Sequence, residues 1–184
     1  VDDQNVMQRL CFFGIGWLLV GALTACSPGG IVLGGSSLNS RYNDEQPSLS
    51  GDGRLLAFVS DRDGGRNILV YNLEERRFEE MPRLNRPNAI AESPSLSYTG
   101  RYVTYLSSDR GIPELRLYDR ATQQSQSLLS IYQGWVRNPS ISPDGRYVAF
   151  ESSRRGQWDI EVFDRGPGIE LDIPNGSPVA LPSP

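Results

Sequence analysis

Short apolar runs, each closed by a polar turn, recur along the body of this chain. Residues 55–59 (Leu-Leu-Ala-Phe-Val), 102–106 (Tyr-Val-Thr-Tyr-Leu) and 147–150 (Tyr-Val-Ala-Phe) are rich in aromatic and β-branched side chains, and apolar groups occupy both alternating sets. That pattern predicts strands buried on both faces. Each run follows a shorter strand around Pro-Ser-Leu-Ser or Pro-Ser-Ile-Ser and a turn of the form Gly-Asp-Gly-Arg, Tyr-Thr-Gly-Arg or Pro-Asp-Gly-Arg. The glycine there supplies the positive φ of a tight hairpin. Third strands are predicted over residues 68–71, 115–118 and 160–163, reached through turns at 61–65, 109–111 and 154–156. Weaker fourth strands are predicted at Phe78 and over 126–129 and 169–173.

These elements are copies of one unit. The copies open at Pro47, Pro94 and Pro139, and their turn glycines, Gly53, Gly100 and Gly145, are 47 and 45 residues apart. Eighteen residues after each glycine stands an aromatic, Tyr71, Tyr118 or Phe163, followed by Asn72, Asp119 or Asp164. A constant internal offset with variable spacing between copies marks a fixed folding unit with adjustable outer loops. Four short strands repeating every ~45 residues, apolar on both sides, predict β-propeller blades. The predicted fold is all-β, with three four-stranded antiparallel blades at about 44–87, 91–130 and 136–175.

The third copy, Pro-Ser-Ile-Ser-Pro-Asp-Gly-Arg-Tyr-Val-Ala-Phe, with Ser-Ser-Arg-Arg-Gly and Asp-Ile-Glu-Val-Phe-Asp after it, resembles the WD40-like PD40 repeats of the TolB family. The resemblance spans about residues 40–175 and implies a periplasmic propeller that binds protein, much as the TolB propeller binds a peptidoglycan-associated lipoprotein. Similar repeats occur in prolyl-oligopeptidase-type enzymes, so they mark an architecture more than a role. The chain departs from the family in three ways. No α/β domain lies between the N-terminal segment and the repeats, only three copies are present, and the chain carries a lipidation signal.

That signal lies in residues 10–25, sixteen residues without a charge, flanked by Arg9 and by Cys26-Ser27-Pro28-Gly29-Gly30. As a helix the stretch reaches ~24 Å, short of a ~30 Å hydrocarbon core, and reads as the helical apolar region of a secretory signal. Leu23-Thr24-Ala25-Cys26 resembles the lipobox of bacterial lipoproteins, which implies lipid attachment at Cys26 after removal of residues 1–25; the alternatives are an uncleaved membrane anchor or a cysteine that ends an ordinary signal. Residues 26–39 then form a linker and 40–184 the repeats. Val1 to Val6 suit a basic signal start poorly, so Met7 is an alternative first residue. Ser27 favours the outer membrane by the sorting rule of enterobacterial lipoproteins.

Composition narrows the chemistry. The chain has 184 residues, a net charge of −4, 18 arginines, no lysine and no histidine. Scattered arginines give no clustered basic surface, so nucleic acid is not an expected partner. Without histidine there is no Ser-His-Asp or Cys-His catalysis and no common zinc site. Both cysteines, Cys11 and Cys26, precede the repeats. No cofactor, metal site or catalytic residue is expected.

Two residues before each repeat proline stand Glu45, Glu92 and Arg137, with Trp135 nearby. In a propeller these positions border the central channel and are the candidate binding residues; the alternative is that they simply cap the inner strands and pair with one another. The acidic pair resembles the acids preceding this proline in TolB repeats, and Arg137 departs from them. Arg62, Arg110, Arg154 and Arg155 recur in one hairpin turn as a candidate rim for an acidic partner, or as solvated residues pairing with Asp61, Asp109 or Asp159. Asp61-x-Asp63-Gly64 resembles the start of a calcium loop, lacks its remaining ligands and reads as a β-turn.

Three blades would expose an apolar face at each end, because closed propellers have at least four. A second copy forming a six-bladed ring, another chain, the polar tails, or blades of a longer reading frame would each cover them. The expected function is a membrane-tethered scaffold binding a protein or peptide. The alternatives are an enzyme or enzyme subdomain, as a carboxylate glycan hydrolase using Glu45 and Glu92 or the propeller portion of a peptidase, and a truncated propeller.

Overall fold

A computed structural model describes residues 38, 40–109 and 111–173. The predicted signal, Cys26, nearly all of the linker, Arg110 and residues 174–184 lie outside the described residues. The others form three antiparallel sheets. The first holds β1 (Asp44–Leu49), β2 (Leu55–Ser60), β3 (Asn67–Asn72) and β4 (Arg77–Phe78). The second holds β5 (Ile90–Leu96), β6 (Tyr102–Ser108), β7 (Glu114–Asp119) and β8 (Gln124–Ser127), and the third β9 (Val136–Ile141), β10 (Tyr147–Ser152) and β11 (Asp159–Asp164). Each sheet runs in chain order, so every connection within it is a hairpin. The first strands, β1, β5 and β9, lie beside one another, as in blades stacked around an axis.

The alternating rows of the second strands explain the stacking. Leu55, Ala57 and Val59 on β2, with Ile68 and Val70 on β3, face the second sheet and meet Ala91, Leu96, Val103 and Tyr105. One sheet on, Tyr102, Leu106, Leu115 and Leu117 meet Val136, Ile141, Val148 and Phe150. Equivalent residues therefore play equivalent parts at both joints. At ~1.5–3 kcal/mol for each fully buried Val, Leu, Ile or Phe, these rows dominate the cohesion.

The turns add a polar lock. Asp52 N donates to Tyr98 O (2.9 Å) and Tyr98 N to Pro143 O (2.8 Å), so each turn is tied to the next. Within the first turn Ser50 Oγ accepts from Leu55 N and donates to Asp52 Oδ1. The third repeats this with Ser142, Tyr147 N and Asp144. The arginine after each glycine reaches an acid just beyond or at the end of the third strand: Arg54 to Glu74, Arg101 to Asp119, Arg146 to Asp164. The constant offset between turn and strand end follows from the hairpin register, which sets Leu55 opposite Asn72, Tyr102 opposite Asp119 and Tyr147 opposite Asp164.

One predicted element is corrected. The third sheet has three strands, and residues 169–173 form no strand. Pro167 and Gly168 interrupt pairing along β11, and the segment crosses to the second sheet. The second turn has Thr99 where the others have aspartate. Asp172 supplies the carboxylate: Ser97 Oγ (2.6 Å), Thr99 N (2.8 Å) and Thr99 Oγ1 (2.6 Å) all donate to it. Asp172 N donates in turn to Asp144 O (2.9 Å), joining the second and third sheets. The predicted 126–129 strand also lies two residues earlier, at Gln124–Ser127.

Two stability predictions follow from these contacts. Asp172→Ala strands the Ser97 and Thr99 donors and is expected to cost about 2–4 kcal/mol in urea unfolding. Adding Thr99→Asp in that background should recover more than half of the loss, whereas Thr99→Asp alone, crowding two carboxylates, should destabilise. An additive double mutant would sink the substitution of one carboxylate for the other.

Gly145 (φ +80°) and Gly64 (φ +82°) share a left-handed backbone, but a Cβ on Gly145 would run into the Tyr102 ring while one on Gly64 meets open space. Gly64→Ala should therefore cost roughly 1 kcal/mol and Gly145→Ala about 2–4 kcal/mol. Equal losses would show that the joint accommodates the methyl group freely.

Candidate functional site

The first strands extend further upstream than their apolar residues suggest, and all three bend at one place. Gln46, Ser93 and Asn138, each directly before the repeat proline, have φ of +53°, +54° and +51°. The residue before proline ordinarily stays extended, so this conformation is imposed by the sheet. It coincides with a β-bulge in each first strand, between Glu45 and Ser48, between Glu92 and Ser95, and opposite the Ala149 to Glu151 step of β10. The bulge sets the candidate residues in equivalent register: Glu45 lies opposite Val59, Glu92 opposite Leu106 and Arg137 opposite Glu151.

Glu45 and Glu92 are brought together by Arg66, whose Nη2 lies 3.1 Å from one carboxylate and 3.8 Å from the other. Ser93 N donates to Gln46 Oε1 (2.6 Å) and Ala91 N to Arg66 O (2.9 Å), closing the first two sheets along this edge. Arg137 keeps to its own sheet. Its Nε donates to Glu151 (2.5 Å), Asn138 Nδ2 adds a bond to the same carboxylate (2.8 Å), and the guanidinium lies 3.8 Å from the Trp158 ring centre. Trp135 is exposed, with its backbone N held by Ser153 Oγ. The inner edge thus reads Glu45, Arg66, Glu92, Arg137, Glu151, an alternation of charges each met by a neighbour.

The rim arginines occupy separate settings. Arg62 is largely buried; its Nη2 lies 2.9 Å from both Asp44 oxygens, and its guanidinium packs over Phe58 and Phe78. Its acid is thus Asp44, while Asp61 accepts from Asn43. Arg154 lies by Glu161 and over Tyr132, and Arg155 pairs with Asp159. Asp109 pairs with Arg86. Residues 61–64 form a turn closed by Gly64 N donating to Asp61 O (3.1 Å). Among the described residues no three metal-ligating side chains cluster, and none of their helices is long and apolar enough to cross a membrane.

A cavity of about 600 Å³ is lined by Arg86, Asp109, Pro113, Glu114, Arg116 and Tyr132 and reaches Val136, beside Arg137. Its charges pair with one another, Arg86 with Asp109 and Arg116 with Glu114. The inner edge is the stronger candidate because its geometry recurs in all three sheets. Arg66 and the bulge residues are the members that sequence reasoning missed. The bulge had a signal, a polar residue before proline in every copy, whereas Arg66 recurs in neither other copy.

Comparison with known structures bears on the fold. TolB from Acinetobacter baumannii matches with a TM-score of 0.60 at 26% identity, over 72% of this chain and 32% of that one. The fold is TolB-like. An Agrobacterium tumefaciens protein also described as TolB matches with a TM-score of 0.55 at 17% identity, over 74% of this chain and 50% of that one. A puromycin-hydrolyzing peptidase of Mycobacterium tuberculosis gives 0.53 at 17% identity, over 77% of this chain and 22% of its own. The last two likenesses are of fold alone, and the chain spans half or less of each of these proteins. No family model and no curated protein matches the chain.

The paired acids of the third sheet give a pH signature. The Arg146 guanidinium, and then Gly166 N–H, hold the Asp164 carboxyl down at about 2, and bonds from Asn138 and Arg137 hold Glu151 below its usual range. A carboxyl depressed in the folded chain stabilises it above the unfolded pKa and loses that contribution as pH falls through the folded one. Stability should therefore drop as pH falls from ~4 to ~2. Arg146→Gln should flatten this segment of a plot of thermal midpoint against pH. An unchanged profile would rule the pair out as its source.

Proposed function

We propose that this chain is a lipoprotein of a bacterial envelope, tethered through Cys26 on the periplasmic side, whose blades bind a protein or peptide along the inner strands without catalysing a reaction. The observation that carries this reading is the threefold bulge. It lines up Glu45, Glu92 and Arg137, with Gln46, Ser93 and Asn138 beside them, on one edge. An extended peptide is met well by such a row of polar groups at regular intervals. The likeness to TolB supports the scaffold role, and Leu23-Thr24-Ala25-Cys26 supports the anchor. Ser27 favours the outer membrane. The absence of histidine from the whole sequence supports a non-catalytic role, and Glu45 and Glu92 share one guanidinium instead of facing each other across an open cleft. Nucleic acid is not a partner in this reading, and no cofactor is needed.

Two measurements in cells test it. Cys26→Ser should abolish incorporation of labelled palmitate; labelling that persists in the variant would refute lipid attachment at Cys26. A photo-crosslinking residue placed at Glu45, Glu92 or Arg137 should trap a protein adduct that the same group at Gln126, on β8, does not. Equal trapping at Gln126 would remove the inner edge as the binding site.

A further inference from the structure

The two end faces of the stack contrast sharply with the joints inside it. Ile68 and Val70 are 1% exposed, and their equivalents in the second sheet, Leu115 and Leu117, are 0% and 1% exposed. In the third sheet the same positions hold Ile160 and Val162, at 71% and 61%. The opposite end shows the mirror situation. Leu96 and Ile141 are each 7% exposed, and their first-sheet equivalent Leu49 is 59% exposed. Leu56, beside it on β2, and the neighbouring Pro47 and Phe58 line a shallow hollow of about 210 Å³. Apolar residues have thus been placed at both ends where the repeat ordinarily buries them.

The end faces are also complementary. At each internal joint the row equivalent to Ile160 and Val162 packs on a sheet whose facing row is equivalent to Leu49, Leu56 and Phe58, of which Phe58 is already covered by Arg62 in the first sheet. The third sheet therefore presents one half of that interface and the first sheet the other. Glu151, the charge on the outward row of β10, is already met by Arg137 and Asn138, so covering it does not strand an unpaired carboxylate.

We propose that a second copy of this chain covers both faces, the third sheet of each copy seated on the first sheet of the other. Two copies then close a ring of six blades, within the four to eight that propellers adopt, and a head-to-tail interface that closes on itself stops at the dimer. This inference is independent of the proposed ligand and of the lipid anchor, so either can fail without the other.

The test is the mass in solution of the full chain, by sedimentation in density-matched detergent. Particles of two chains are expected. Val162→Arg and Leu49→Glu each alter an exposed side chain and should each leave single, folded chains, with circular dichroism unchanged. Mixed together they should restore pairs, because one joint becomes Arg against Glu and the other is unaltered. Should either variant misfold, methyl NMR of the unaltered chain on dilution replaces it, and the Leu49, Leu56, Ile160 and Val162 signals should shift together. Single chains at every concentration, open multimers, or a dimer that Val162→Arg breaks and Leu49→Glu leaves intact would each overturn the proposal, the last pointing to third sheet against third sheet.

Discussion

A strand that is apolar on both of its alternating rows cannot leave either face of its sheet in water. β2 and β6 are such strands, with Leu55, Ala57 and Val59 on one row of β2 and Tyr102, Thr104 and Leu106 on one row of β6, all largely buried. A sheet built on them needs a neighbour on each side. Face-to-face stacking satisfies that need with one repeated joint, and the other features of the fold follow from keeping the joint in register. Because strand side chains alternate with period two, a slip of one residue would turn each apolar row away from its partner.

Register is held from the turns. Backbone bonds from Asp52 to Tyr98 and from Tyr98 to Pro143 fix the height of one sheet against the next, and they require turns tight enough to nest. Left-handed Gly100 lets the second turn approach Leu55, and left-handed Gly145 lets the third approach Tyr102. A serine braced by a carboxylate stiffens each turn from within. The second turn lost its aspartate to Thr99 and recovered the function through Asp172, from 73 residues downstream. The same residue ties the chain after β11 to two sheets, so a local deficiency in one repeat has become a long-range contact.

The second and third strands were legible because their β-branched and aromatic residues leave little choice of conformation. The first strands were only partly legible. Their upstream halves, Asp44 to Gln46 and Val136 to Asn138, have little apolar signal and become strand through pairing with β2 and β10. Residues 169–173 misled because Ile169, Leu171 and Ile173 alternate like a strand, yet the hydrogen bonds available to Asp172 outweigh pairing along an edge. At the site, equivalence in the repeat placed Glu45 and Glu92 on one edge. Arg66 could not be placed that way, since Pro113 and Trp158 occupy its position in the other copies. Arg137 carried a readable signal in its cross-strand partner: the acid becomes arginine where Val59 or Leu106 becomes Glu151.

That paired exchange bears on how the inner edge can recognise anything. Each charge along it is matched, by Arg66 in the first two sheets and by Glu151 in the third, and the bridges are substantially exposed. Exposed ion pairs contribute only ~0–1 kcal/mol each, so a peptide bound as proposed would exchange them for its own contacts at small cost. The bulges, by contrast, belong to the ladder and stay fixed. The edge therefore combines a rigid spacing, set by three backbone kinks, with side-chain charges that re-pair easily. In the proposed role such a surface would select for an extended backbone more strongly than for a particular charge.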